Sequence, residues 1–425
     1  MASFSIPLTG LDADSTALNT IANDLSNMNT TAFKSQTTNF SDLFYQQIGS
    51  TGSGDPIQVG AGVQVSSNET DFTQGSISST GNATDVALNG NGLFVVGDGK
   101  GGYEFTRAGD FSLTSNGSLV TSSGLNIMGY PASNGVVNIN APLAAITVPV
   151  GQVQTPQATS TLNITANLDA TAASGTTFPA QVTVYDSLGV PHIATVSYAQ
   201  TGPNTWSYSA ALPAGDFASG TSTPVTGTMN FDSNGNLASI TSGGVTTPVG
   251  TAAGDVSSVP LSFTGLADGA SNLNMSWNLL SPSGSPTISQ VNAASSVSAT
   301  TQNGYAPGQY QSFSIGSDGT VIVTYSNGQK QDVGQLALAN VTNLQGLQTL
   351  GDGDYGTTLA SGTASIGTSG SGGLGTIQEG ALEQSNVNIS AEFSDLIVAQ
   401  RAFEANSKTI TTFDTLTQET INMIH

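Results

Sequence analysis

The sequence predicts a mainly β protein with α-helical termini. Apolar residues recur every seven positions near both ends of the 425-residue chain, and alternating Val, Ile, Phe and Tyr residues recur through its middle. The first pattern makes an apolar stripe on a helix, and the second is typical of strands. Because such a stripe requires a partner helix, we expect the two ends to pair as a coiled coil or to pair with copies of themselves.

Two rows of apolar residues form the predicted stripe on an N-terminal helix over residues 8–30. The rows are Leu11, Leu18 and Leu25, and Ile21 and Met28. Burying these five side chains at about 1.5–3 kcal/mol each yields roughly 7–15 kcal/mol. Ordering about twenty residues costs on the order of 30 kcal/mol at ~1.5 kcal/mol per residue. A lone helix is therefore unstable, and we expect the termini to be largely disordered in the monomer and to become ordered on assembly.

The C-terminal stripe has one main row with flanking apolar residues. The row consists of Ile389, Leu396, Phe403 and Ile410, and the flanking residues are Phe393, Ala399 and Phe413. Arg401 lies on the same predicted helix near two glutamates. Taken alone, this arginine is expected to be a solvated charge that contributes little to stability.

The middle of the chain predicts strands joined by tight turns. Residues 93–96 and 103–106 predict one hairpin, and Asn116 with Gly117 marks the turn of another. Further strands are predicted at residues 182–185, 193–198, 206–210, 229–231, 313–315 and 321–325. Small residues predict flexible or linking segments at 49–54, 290–302 and 362–375.

Charge and cysteine content exclude several classes of protein. Only 8% of the residues are charged, against about 25% in an average soluble domain. No Lys or Arg occurs between Arg107 and Lys330. Since binding to nucleic acid requires clustered cations, nucleic acid is a poor candidate partner. The chain has no cysteine, so disulfides are excluded, and it has neither the pattern of a cleaved secretory signal nor an apolar stretch long enough to span a membrane.

No combination of residues predicts a catalytic, cofactor-binding or metal site. Two Gly-x-Gly-x-x-Gly matches, starting at Gly97 and Gly370, lack the strand-then-helix context of a dinucleotide site. Residues 232–236 predict a turn, because Gly235 falls at the fourth position where a calcium loop has glycine at the sixth. His192 is the one internal histidine, and without visible partners it is expected to have a structural or surface role.

Phe40 and Phe44 lie four positions apart, which is one turn if the segment is helical. Two interpretations are open for this pair. The aromatics form a small local core, or they form a recognition motif.

Two terminal blocks of the chain resemble the signature shared by bacterial flagellar rod and hook proteins. The blocks are IANDLSNMNTTAFK at residues 21–34, and LEQSNVN at 382–388 together with IVAQRAFEAN at 397–406. Three internal stretches resemble the hook proteins in particular. They are GYP at 129–131, VYDSLG at 184–189 and NGYAPG at 303–308.

The resemblance implies a layered arrangement of domains. The implied ranges are 1–30 with 385–425 for a terminal coiled-coil domain, 31–71 with 363–384 for a connecting segment, 72–147 with 298–362 for a discontinuous inner β-domain, and 148–297 for an inserted outer β-domain. It also implies contacts between subunits for Arg401 and Asn406, and recognition by the flagellar type III export gate for Phe40 and Phe44.

The function implied by the resemblance is structural. Subunits of this kind polymerise into a flexible, curved tube that acts as a universal joint and transmits torque from the rod to the filament. The implied partners are other copies of the chain, the distal rod protein, the hook cap protein, the hook–filament junction protein and the export gate. The implied location is the extracellular hook of the flagellum, reached without a cleaved signal peptide.

Three alternatives remain open from the sequence. A distal rod or hook–filament junction subunit is the nearest, although the inserted domain and the GYP stretch argue against both. A secreted β-rich adhesin shares the low charge but has no need for heptads at both ends. A carboxylate-based glycosidase requires a pair of acids in a cleft, which a sequence cannot reveal.

Overall fold

The computed structural model of the protein describes residues 4–50 and 52–424. It contains two long helices, α1 (Ser5–Ser26) and α2 (Ile389–Ile424), with β-structure between them. The predicted fold class, mainly β with helical termini, is confirmed. Helix α1 ends four residues earlier than predicted, because the Asn- and Thr-rich stretch after Ser26 turns instead of continuing the helix. Met28 therefore lies outside α1.

The strands are numerous and mostly short. In chain order they span Gln36–Asp42, Gln46–Ser50, Pro56–Val59, Val63–Thr70, Ile77–Ser79, Val86–Asn89, Leu93–Gly97, Tyr103–Thr106, Ser112–Leu113, Leu119–Val120, Asn126–Ser133, Val136–Val137, Ala144–Ala145, Val153–Gln154, Thr161–Asp169, Thr177–Tyr185, Pro191–Gly202, Thr205–Ala211, Val225–Phe231, Leu237–Ser242, Val245–Pro248, Ser258–Phe263, Leu273–Asn278, Ile288–Val291, Ser296–Gln302, Gly308–Ile315, Thr320–Tyr325, Lys330–Leu336, Leu338–Asn340, Gln348–Gly351, Asp354–Gly356, Ser365–Gly367, Thr376–Glu379 and Ala381–Glu383. Both hairpins predicted around residues 93–106 and 112–120 are present as antiparallel pairs.

The described residues form two compact units. The first, called the terminal unit, comprises those of Met1–Val150, Ser312–Thr324 and Lys330–His425. The second, called the inserted unit, comprises Gly151–Gln311 and Tyr325–Gln329. Residues 1–3 and 425 of the predicted coiled-coil domain lie outside the described residues, and the finer division into four domains stays a prediction.

The inserted unit is built from two sheets that share one core. Six strands from Thr177–Tyr185 to Val245–Pro248 pair antiparallel in chain order. Buried and accessible positions alternate along these strands, as expected when one face of a sheet covers a core. Trp277 of the second sheet packs its ring against Tyr198 and Tyr208 of the first, with ring centroids 6.1 and 5.5 Å apart.

The second sheet of the inserted unit corrects one prediction. The linker predicted over residues 290–302 is wrong, because Ser296–Gln302 is a strand that pairs antiparallel with Thr161–Asp169. Its Thr and Val residues favour extended backbone. Most of its residues are exposed, so the composition of the strand resembles that of a linker.

The terminal unit joins α1 and α2 to several β-elements. A long antiparallel structure, called the ribbon, is formed by residues 36–70, in which Gln36–Asp42 pairs with Val63–Thr70 and Gln46–Ser50 pairs with Pro56–Val59. The described residues of the segment predicted to be flexible at 49–54 therefore lie at the tip of this ribbon, and residue 51 lies outside the described residues. The segment predicted to be flexible at 362–375 contains Ser365–Gly367, which pairs with Leu338–Asn340, so this prediction is also wrong for part of its length.

Candidate assembly surface

Helices α1 and α2 lie antiparallel against each other. The rings of Phe4 and Phe413 are 5.9 Å apart at one end of the contact. Nearer the middle, the Asn406 side-chain amide donates a 2.9 Å hydrogen bond to the Asp14 carboxylate. Residues later in α1 thus contact residues earlier in α2, as in an antiparallel pair. The last turns of α2, beyond Phe413, are exposed.

Small residues form the part of α1 that is most buried. Its buried residues are Pro7, Gly10, Ala13, Ala17, Thr20 and Asp24. A methyl group added at Gly10 would lie 2.6 Å from the side-chain nitrogen of Asn406, so glycine allows the two helices to approach closely. Thr20 and Asp24 instead bind the ribbon, through the Thr38 hydroxyl and the Gln36 backbone N–H. The spacing of three and four residues is that of one helix face.

The larger apolar residues of the predicted stripes flank this contact. On α1, Leu11, Leu18, Ile21 and Leu25 are half-buried, and Met28 beyond the helix is exposed. On α2, Leu396, Phe403, Ile410 and Phe413 are half-buried, whereas Ile389 and Phe393 are exposed. A single chain therefore leaves part of each apolar stripe accessible.

The two polar residues predicted to contact other subunits, Arg401 and Asn406, have different surroundings in the structure. Asn406 is occupied within the chain by its hydrogen bond to Asp14. Arg401 is exposed, and it makes no ion pair with any of the described residues. A groove between α1, α2 and the ribbon is lined in part by the carboxylates of Asp14, Glu392 and Asp395.

Phe40 and Phe44 lie on the ribbon and not on a helix. Phe40 is part of the strand Gln36–Asp42 and is half exposed, and Phe44 follows that strand with 95% of its surface exposed. The helical spacing assumed for the pair is therefore wrong, since Gln36–Asp42 is a strand that pairs with Val63–Thr70, with a shift of register between Asn39 and Phe40. The alternative prediction, a small local core formed by both aromatics, is also wrong, because Phe44 is almost fully exposed. Their role in export recognition stays a prediction.

A buried ion cluster connects the two chain segments that lead to the helices. The Glu383 carboxylate accepts a 2.6 Å hydrogen bond from Lys34 Nζ and another of 2.6 Å from Arg107 Nε. The three side chains are 1%, 2% and 7% exposed, respectively. Lys34 and Glu383 both lie in the terminal blocks, whereas Arg107 belongs to the central β-structure. Sequence reasoning missed this cluster because its members are far apart along the chain.

Hydrogen bonds to backbone groups satisfy further donors and acceptors of the three side chains in the cluster. Gly75 N–H donates to Glu383, and the two cations donate to the backbone carbonyls of Thr73, Leu88 and Gly92. Burial by itself raises the pKa of Glu383, but Arg107 and Lys34 outweigh it and hold that pKa below its usual range. For Lys34, burial lowers the pKa more than the contact with Glu383 raises it.

Three family models match successive parts of the chain. They are the flagellar hook protein FlgE/F/G D1 domain over residues 87–167, the flagellar basal body protein FlaE D2 domain over 156–305, and the flagellar basal body rod FlgEFG protein C-terminal over 378–423. The flagellar hook protein FlgE of Salmonella typhimurium is 36% identical over 435 residues, which cover 99% of this chain and 100% of that protein.

This chain belongs to the flagellar hook protein family.

Other hook proteins show the same full-length similarity. FlgE of Escherichia coli strain K12 is 35% identical, with 99% of both chains covered, and FlgE of Treponema pallidum is 34% identical, with 98% of both covered. The crystal structure of Helicobacter pylori flagellar hook protein FlgE2 matches with a TM-score of 0.54 at 15% identity, over 72% of this chain and 100% of that one. That likeness shows the fold alone.

The resemblance to hook proteins drawn from the sequence is thus confirmed. Hook proteins are structural components of the flagellum and not enzymes, so the glycosidase alternative is excluded and the adhesin and rod alternatives are not favoured. No described helix is long and apolar enough to cross a membrane.

Proposed function

We propose that the chain is the repeating structural subunit of a bacterial flagellar hook and that α1 and α2 carry its self-assembly. The single observation that carries the assembly role is the apolar surface that the helix pair leaves uncovered. On α2, Phe393, Ile397 and Val398 are 52%, 58% and 67% exposed. Contiguous exposed apolar surface of this kind marks an interaction site on a soluble protein.

Burial of this surface requires other copies of the chain. Within one chain, the most buried residues of α1 include small ones such as Gly10 and Ala13, which bury little apolar area, and Gly10 lies directly against Asn406 of α2. The half-buried row of Leu11, Leu18 and Leu25 is available to neighbouring helices. Packing among helices of several subunits therefore supplies the apolar burial that one chain lacks.

Charge complementarity assigns a role to Arg401. The groove lined in part by Asp14, Glu392 and Asp395 offers carboxylates, and Arg401 is an exposed cation without an ion-pair partner among the described residues. In the polymer, Arg401 of one subunit pairs with this groove on a neighbour. Asn406 has a different role, because its bond to Asp14 fixes the register of α1 against α2 within the subunit.

The larger assembly follows from the same proposal. The polymer is a flexible, curved tube that acts as a universal joint between rod and filament, and it contacts the distal rod, hook cap and hook–filament junction proteins. The chain leaves the cell through the flagellar type III export gate without a cleaved signal peptide. Phe40 and Phe44 are recognised at the gate, which is consistent with the exposure of both side chains, 48% for Phe40 and 95% for Phe44.

Electron microscopy of purified protein under polymerising conditions tests this function. We expect curved tubes from the unchanged chain and none from the double variant Phe393→Ser/Ile397→Ser, because both side chains lie on the uncovered surface. Leu359→Ser is the matched control, since Leu359 is fully exposed in a turn of the same unit and belongs to neither helix. Tubes of normal yield from the double variant would refute the role of α2, and no tubes from the unchanged chain would refute self-assembly.

A further inference from the structure

A histidine and three aspartates converge inside the inserted unit. His192 Nδ1 lies 2.9 Å from Asp216 Oδ2, and His192 Nε2 lies 3.3 Å from Asp186 Oδ2 and 3.8 Å from Asp268 Oδ2. The His192 side chain is 6% exposed and that of Asp186 is fully buried. The sequence placed His192 in a structural or surface role, because Asp216 and Asp268 are remote along the chain.

This convergence is unusual for the composition of the unit. Its carboxylates are all aspartates, namely Asp169, Asp186, Asp216, Asp232, Asp255 and Asp268. The unit has no Lys or Arg and no other histidine. Half of its negative charges therefore surround its single imidazole, and no side-chain cation of the unit other than that ring is available to neutralise them.

Separate elements hold the four side chains in place. Asp186 follows the strand Thr177–Tyr185, and its Oδ1 accepts hydrogen bonds from the backbone N–H groups of Leu188 and Val190 at 2.8 and 2.9 Å. Its other oxygen, Oδ2, faces the imidazole. The loops that carry Asp216 and Asp268 are joined by a 2.9 Å hydrogen bond from Ala267 N–H to the Asp216 carbonyl oxygen.

The orientation of the imidazole is the second observation. In carboxylate–histidine–metal arrangements, a carboxylate accepts the Nδ1–H of a histidine and holds the ring so that Nε2, once it has lost its proton, binds the metal. Asp216 stands in this position, and Nε2 is directed toward the oxygens of Asp186 and Asp268. Three potential ligand atoms thus face one another: one imidazole nitrogen and two carboxylate oxygens.

We propose that His192 Nε2, Asp186 Oδ2 and Asp268 Oδ2 form a binding site for one divalent cation of the zinc class, with Asp216 positioning the imidazole. In a tetrahedral zinc site with bonds of about 2.0–2.1 Å, ligand atoms lie roughly 3.3–3.4 Å apart, close to the 3.3 and 3.8 Å separations from Nε2. A nitrogen ligand favours zinc over calcium or magnesium, which take oxygen ligands. The side chains of Asp216 and Asp268 are 26% and 25% exposed, so an ion and a fourth, water ligand reach the site from solvent.

Calorimetric titration of the metal-free, full-length monomer with ZnCl₂ tests the proposal. All variants are made in a His425→Gln background, which leaves His192 as the only histidine. We expect one equivalent of zinc to bind, with affinity reduced at least tenfold by Asp268→Asn and about 10–100-fold by Asp216→Asn. Asp255→Asn, which alters another aspartate of the same unit, is the control and should bind normally. Equal affinity in the Asp268→Asn variant would overturn the site.

A second measurement uses the unsubstituted site, so its result does not depend on whether the variants fold. In protein labelled with ¹⁵N-histidine, zinc should shift the Nε2 resonance of the single imidazole while Nδ1 stays protonated. MgCl₂ and CaCl₂ should leave the spectrum unchanged. If both ring nitrogens stay protonated at saturating zinc, His192 forms ion pairs only and the proposal is wrong. Unfolding of the inserted unit can be followed by the emission of Trp206 and Trp277, which both lie in it. At a zinc concentration of a hundred times Kd, the equilibrium constant for unfolding should fall about 100-fold.

Discussion

Replacement of Glu383 by Gln should destabilise the terminal unit by about 3–5 kcal/mol, because it leaves two buried cations without their anion. Lys34 Nζ and Arg107 Nε each lie 2.6 Å from the Glu383 carboxylate, and all three side chains are at least nine-tenths buried. Because glutamine has nearly the same shape as glutamate, the lost stability arises from the removed charge and not from a cavity.

Urea unfolding of the monomer measures this effect with an internal reference. Both tryptophans lie in the inserted unit, so their emission follows that unit alone, whereas far-ultraviolet circular dichroism follows both units. We expect Glu383→Gln to lower the midpoint of the dichroism transition of the terminal unit and to leave the tryptophan transition in place. Glu69→Gln, which changes an exposed carboxylate of the same unit, should shift stability by less than about 0.5 kcal/mol.

The pH dependence of the same comparison has a defined sign. The pKa of Glu383 is held below its ordinary value of 4.5, so its contribution is fully present above about pH 4.5 and is lost as the pH falls through the lower value in the folded protein. The difference between the unchanged chain and Glu383→Gln should be constant at neutral pH and shrink below pH 4.5. A difference under about 1 kcal/mol at pH 7, or one that grows in acid, would refute the reasoning about a buried ion cluster.

Three further predictions concern the packing and the ends of the chain. Gly109→Ala should cost about 2–3 kcal/mol, because its methyl group would overlap the Val86 carbonyl oxygen, whereas Gly52→Ala at the ribbon tip meets nothing within 4 Å and should be neutral in the same urea assay. The monomer should show little helical dichroism and gain it on polymerisation, since α1 buries mainly small residues within one chain; full helicity before assembly would contradict this. Truncation after Asn388 should abolish tubes but keep the tryptophan and β-sheet signals, because Asn386, which binds Ser35 and Asp71, is retained; tubes formed by the truncated chain would disprove the requirement for α2.

Local patterns predicted the elements of this fold better than their contacts. The turns at Gly117 and Gly235 have positive φ values of 82° and 81°, and the strands predicted on both sides of Gly117 and before Gly235 are present. The exposed strand Ser296–Gln302 was missed because its small polar residues carry no alternation of burial. For this strand the deciding contact was with Thr161–Asp169, more than a hundred residues away.

The candidate assembly surface was predicted in part. The heptad rows indicated that both ends are helical and that they meet, but the rows favoured Leu and Ile as the contact, whereas Gly10, Ala13 and Ala17 lie deepest. The three- and four-residue spacing of these small residues was a usable signal. The cluster of Lys34, Arg107 and Glu383 had no such signal, because charge pairing across a fold leaves no periodicity in the sequence.

The absence of Lys and Arg from the inserted unit has a practical consequence for anyone who handles this protein. Trypsin cuts after basic residues, and between Arg107 and Lys330 it has no site. Arg107 is itself shielded in the ion cluster, while Lys330 is exposed. Amine-reactive dyes and cross-linkers likewise reach Lys100, Lys330 and Lys408 of the terminal unit and find no lysine in the inserted unit. A fluorophore coupled through lysine therefore reports on one unit only, and digestion of the folded chain leaves the other intact.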